Sequence, residues 1–92
     1  MKTTTTQIHT TNNTIQEIEI ATKVKAIFEA DWIHTAVMPM TTQFVINWNK
    51  SGMKTFNHFM IREIEDITGR QFNDIAIHST KCISLIFFGE LN

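Results

Sequence analysis

The stretch GMKTFNHFMIREIEDITG, residues 52–69, decides how the rest of the chain is read. On a helical wheel of about 100° per residue, Met53, Phe56, Met60, Ile64 and Ile67 fall on one side with Phe59 at its margin. His58, Ile61, Arg62 and Glu65 fall on the other. Ser51, just ahead, offers a hydroxyl that can accept from the first free backbone amides, and Gly69 can take the left-handed turn that ends a helix. The spacing therefore predicts an amphipathic helix over this stretch, and such a helix needs a sheet against which to lay its apolar side.

The flanking segments supply that sheet. Upstream, Gln43 to Asn49 alternates, with Phe44, Ile46 and Trp48 on one face and Val45 on the other. Downstream, Phe72 to Ser79 sets Ile75 and Ile77 against Asp74, Ala76 and His78, and Thr80 and Lys81 join it to Cys82–Phe88. That last segment is apolar on both sides, with Ile83, Leu85 and Phe87 on one and Ile86 and Phe88 on the other, which suits a central strand or one covered twice.

Residues 14–31 admit two readings. Ile18, Ile20, Thr22 and Val24 alternate with charged or small residues as in a strand, and a strand here would form a hairpin with the tail through Asn12 and Asn13. Against this, Thr14 and Glu17 form a capping box, Glu19 and Lys23 are spaced for a helical ion pair, and Ile20, Val24, Ile27 and Phe28 form a helical stripe. The helical reading accounts for more of the residues. Trp32 to Thr42 reads as a connection, because Pro39 lacks an amide donor and pushes Met38 out of helical geometry. Residues 1–13 hold four consecutive threonines and one aliphatic side chain, Ile8, too little apolar surface to offset ordering unless the segment joins a sheet edge.

The expected architecture is one α+β domain over 14–92. It has an antiparallel sheet of three to four strands with two helices packed on one face, in the order α-β-α-β-β, and 1–13 is a polar tail or an extra N-terminal edge strand. A sheet with both helices on one side leaves its other face thinly covered. Val45, Ile86 and Phe88 then make an apolar patch of the kind that marks an association surface, and a homodimer through the open face or an edge is expected.

Composition narrows the function. The chain has 92 residues, enough for one core but one that buries only roughly 60 to 65% of its unfolded surface. A net charge of -1 leaves no basic footprint, which disfavours nucleic acid as a partner. A single cysteine, Cys82, forms no internal disulfide, no secretory pattern is visible, and the cytoplasm is the default compartment. No apolar run reaches the roughly 20 residues needed to span a bilayer. The 14 isoleucines against 2 leucines favour sheet. The same bias also follows from AT-rich coding DNA, as in a small accessory gene of a phage or mobile element.

Chemistry is sparse. His9, His34, His58, His78 and Cys82 lack the spacings of a metal site, so neither metal nor cofactor is expected. Cys82 near His78 resembles a thiol and its base, yet a cysteine opening an apolar strand is ordinarily a small buried residue. Glu63, Glu65 and Asp66 read as a solvated helix face, and three glycines build no phosphate loop. In element order the chain resembles the pterin carbinolamine dehydratases, small proteins with helices on one side of an antiparallel sheet. Their paired histidines followed by proline would fall at Thr68, Gly69, Arg70, Gln71 and Phe72, where the signature is absent, so no activity is implied.

These observations point to a non-enzymatic protein-interaction module, a small regulator or inhibitor of a larger assembly, with Met38, Met40, Trp48, Glu65, Asp66 and Phe88 as contact residues. The alternatives are a small enzyme or ligand-binding protein, with a pocket between the first helix and the sheet near Trp32, His34 and His78, and a nucleic-acid-binding module.

Overall fold

The computed structural model describes residues 7–49 and 56–91. The order is β1 (Ile8–Thr10), α1 (Ile15–Phe28), β2 (Trp32–Val37), β3 (Thr41–Asn47), α2 (His58–Thr68), β4 (Gln71–Ser79) and β5 (Cys82–Phe88). The strands form one mixed sheet in the order β1-β2-β3-β5-β4. Both helices pack on the same face and share one core with it.

The α+β class, the two helices on one face and the N-terminal edge strand are as the sequence suggested. The segment expected to be a connection is not: Trp32–Val37 is a strand, which pairs antiparallel with β3 from Trp32↔Asn47 to Val37↔Thr42. Pro39 breaks the chain only at the hairpin turn, where Met38 N donates to Thr41 O at 2.8 Å. Ile33, Thr35 and Val37 alternate as a half-buried strand requires, with two polar residues inside the run masking the period.

Helix α1 begins as its capping box requires. Thr14 is extended, and its hydroxyl accepts from Glu17 N at 3.1 Å. The helix ends at Glu29, a left-handed residue at φ 49°, and its buried stripe is Ile20, Ala21, Val24 and Phe28. The fourteen-residue helix is the crossover that lets β1 lie parallel to β2, in the register Ile8↔Ile33, His9↔His34 and Thr10↔Thr35. This parallel pair departs from an all-antiparallel sheet.

Helix α2 is shorter than expected and turned about its axis. Its cap is Asn57, whose side-chain oxygen accepts from Phe59 N and Met60 N, whereas Ser51, Gly52 and Met53 lie outside the described residues. Phe56 packs from outside the helix, stacked on Phe28 at 6.1 Å. The buried side is Ile61, Ile64 and Thr68, so Ile61 belongs to the core and not to the wet side, while Phe59 is exposed. Counting Met53 and Phe56 on the same wheel pulled the inferred face away from Ile61. Gly69 closes the helix as expected, at φ 75°, with its amide donating to Glu65 O at 2.7 Å.

Strands β3 and β4 both run antiparallel to β5 and hence parallel to each other. Helix α2 carries the chain across a gap one strand wide, and the β4–β5 hairpin fills it. The doubly apolar segment is thus internal, as its composition implied. Ile33, Phe44, Ile46, Ile83, Leu85 and Phe87 all point at the helices and are fully buried. Phe87 lies at the middle of an edge-to-face pair of contacts, 5.7 Å from Phe44 and 5.6 Å from Phe72.

Candidate functional site

Neither helix covers the second face of the sheet. Strand parity sends Trp32, His34 and Ala36 of β2, Gln43, Val45 and Asn47 of β3, and Cys82, Ile86 and Phe88 of β5 to that side, where all but Phe88 are half-buried and Phe88 is exposed. At one end, the turn 38–40 exposes Met38 and Met40, and Met40 O accepts from Gly89 N at 3.0 Å, directly after Phe88.

That turn is held from within by Arg70, which is 2% exposed. Its Nη2 donates to Pro39 O at 2.6 Å and its Nη1 to Thr42 Oγ1 at 2.8 Å, and its Nε is buried with no hydrogen-bond partner. Burial pushes the guanidinium below its ordinary pKa, yet an arginine stays charged at any physiological pH. Two exposed methionines and an exposed phenylalanine are therefore presented on a pinned backbone. Gly89, at φ 126°, is the hinge that lets the chain leave β5 beside Arg70, whose Cα would lie 3.8 Å from an added Cβ.

Carboxylates engage part of the margin on each side of the sheet. Beyond the three-residue β1, the free margin of β2 is met by Glu17, which is 1% exposed. Its Oε2 accepts from Val37 N at 3.0 Å and its Oε1 from Asn12 N at 2.7 Å. The capping box is thus half of what was expected: Thr14 serves Glu17, but the glutamate turns to the sheet instead of back to Thr14. On the β4 side, Glu65 Oε2 accepts from Phe72 N at 2.8 Å and Asp74 Oδ1 from Ile75 N at 2.8 Å. Two register shifts further break the regularity of that edge. Engaged amides and bulges are what keep an edge from recruiting another strand.

The structure sorts the sequence-based contact residues into three groups. Met38 and Met40, in the turn, and Phe88, the register partner of Thr41, are exposed at the same end of the sheet. Trp48 does not join them: it is 2% exposed, its Nε1 donates to Phe28 O at 2.9 Å, and its ring meets Phe28 edge-on, so it is a core residue. Glu65 is occupied by the β4 amide just described, and Asp66 is exposed on the helix layer, away from the uncovered face.

The expected pocket between the first helix and the sheet also needs correcting. Ile33 and Thr35 point toward α1, so Trp32 and His34 point to the opposite face. His78 is on that face too, but at the far edge strand, where its Nε2 lies 2.8 Å from Ser84 Oγ. The imidazole is thus engaged with Ser84, which is 8% exposed, and Cys82 is free and half-buried. Between the helices a shallow groove of about 560 Å³ is lined by Lys23, Ala26, Ile27, Met60, Glu63 and Ile67.

One cluster was not anticipated. His9, Trp32 and His34 form a triangle of rings, with centroids 5.3 Å apart for His9–Trp32, 6.3 Å for Trp32–His34 and 6.4 Å for His9–His34. The alternation Trp32-x-His34 was the only local signal for it, since His9 arrives through the parallel register. Among the described residues no group of three or more His, Cys, Asp or Glu is placed to hold a metal, and no helix is long and apolar enough to cross a membrane. Compared with known protein families, curated proteins and solved structures, the chain matches none.

Proposed function

We propose that this chain is a non-enzymatic protein-interaction module, a small regulator or inhibitor of a larger assembly, that binds its partner through the Met38–Met40 turn and the adjoining uncovered sheet face. The observation that carries the reading is the exposed trio Met38, Met40 and Phe88, held on a backbone pinned by Arg70 and Gly89. Methionine adapts to irregular partner surfaces, and an aromatic beside it supplies area at little entropic cost. The engaged amides at part of each margin, with the bulges of β4, hinder strand addition there and support recognition by the face.

Affinity capture from the native host, with the wild-type chain beside a Met40→Ser/Phe88→Ser variant, tests this. The expected result is a protein retained by the wild type and lost from the variant, with an Asp66→Ala control retaining it. An identical captured set for all three chains overturns the assignment. Solution mass, measured on the same samples, decides whether a second copy is the partner.

A further inference from the structure

We propose that His9 and His34 form a two-histidine chelate for a borderline divalent transition ion of the Cu²⁺, Ni²⁺ and Zn²⁺ class, bound on the uncovered face and independent of whichever protein that face recognises. Sequence spacing argues against any such site, because 24 residues of chain lie between the two. The parallel pairing of β1 with β2 removes that separation: His9 and His34 are direct register partners, and both rings project to the same side.

The geometry suits an ion. Two imidazoles on one ion hold their centroids about 6 Å apart when they lie opposite each other and about 5 Å apart in tetrahedral coordination, so the rings, 6.4 Å apart here, must swing together about their side-chain bonds to share an ion. His9 is exposed and His34 half-buried, so solvent reaches the pair. Trp32 packs beside both rings, at 5.3 and 6.3 Å, and limits the rotamers that they must give up on binding. Val45, the register neighbour of His34 on β3, is apolar and sets no competing charge against the ion.

Imidazole nitrogen selects Cu²⁺, Ni²⁺ and Zn²⁺ over Mg²⁺ and Ca²⁺, with Cu²⁺ held most firmly among the first. Two protein ligands leave coordination positions to water, so the site is exchangeable and not a structural one.

The test uses the full chain and the metal alone. Substoichiometric Cu²⁺ should broaden the NMR amide signals of Ile8–Thr10 and Ile33–Thr35 before any others, and Zn²⁺ should shift the ring signals of His9 and His34 together. His9→Ala and His34→Ala should each weaken Cu²⁺ binding at least about tenfold, because each removes one arm of the chelate. Broadening centred first on His58, on His78 or on the N-terminal amine overturns the site. So does a single variant that binds as tightly as the wild type. The wild-type broadening map needs no substitution, so it decides the matter even if His34→Ala does not fold.

Discussion

The two faces of the sheet share every backbone atom and differ only in which alternate residues they carry. On the covered face Ile33, Phe44, Ile46, Ile83, Leu85 and Phe87 are fully buried under α1 and α2. On the uncovered face the intervening positions hold Trp32, His34, Gln43, Val45, Asn47, Cys82, Ile86 and Phe88, a mixture that tolerates water yet offers aromatic and imidazole groups. The contrast is between a face that the helices bury and a face that they leave uncovered.

The contrast can be broken most sharply at neighbouring positions of β5. Leu85→Ala empties a fully enclosed site between Phe44 and Ile75 and should cost about 3–4 kcal/mol in urea denaturation. Ile86→Ala, one residue on, faces the other way and should cost less than half as much; equal losses would mean that the second face is also core. Next in size is Glu17→Ala, which removes the charged acceptor of two backbone amides. A loss of about 2–3 kcal/mol is expected, with faster hydrogen exchange at the Asn12 and Val37 amides.

Smaller effects sharpen the comparison. Asn57→Ala deletes the cap that starts α2 over the covered face and should lower stability by about 1 kcal/mol. Phe88→Ser and Met40→Ser, at the turn end of the sheet, should change stability by no more than about 0.5 kcal/mol and, on the proposed function, abolish partner capture. A large stability loss from either would move those residues from recognition to packing.

Much of the covered face was legible in the residues. The alternation in Phe44, Ile46 and Trp48 and in Ile83, Leu85 and Phe87 gave both the strands and their buried side, because a period of two is a local property. Thr14 and Gly69 marked two helix boundaries for the same reason, since a cap involves atoms only a few residues apart. Failures came where the local signal was diluted. His34 and Thr35 hid the β2 alternation, and two apolar residues ahead of Asn57 displaced the inferred face of α2. Trp48 reads as a contact if its size alone is weighed, although its alternation with Ile46 places it on the buried side; what settles it is the carbonyl of Phe28, which satisfies the indole N–H inside the core.

The candidate surface was legible only in part. Met38, Met40 and Phe88 could be singled out because a proline turn and a doubly apolar strand are visible in one dimension. That they sit at one end of the sheet depends on the β3–β5 pairing and on Arg70 reaching back to Pro39 across 31 positions of sequence.

By itself, then, the order of residues determined the two helices, the strands β3, β4 and β5 and the side of β3 and β5 that seeks cover. Only the tertiary structure decided that β1 lies parallel to β2 with His9 beside His34, that Glu17 closes an edge instead of its own helix cap, and that Trp48 is interior. The physical reason is range. Periodicity and capping are set by neighbours within a turn or a pleat, whereas register and the destination of a buried polar group are chosen by the whole chain as it minimises exposed apolar area and unpaired backbone.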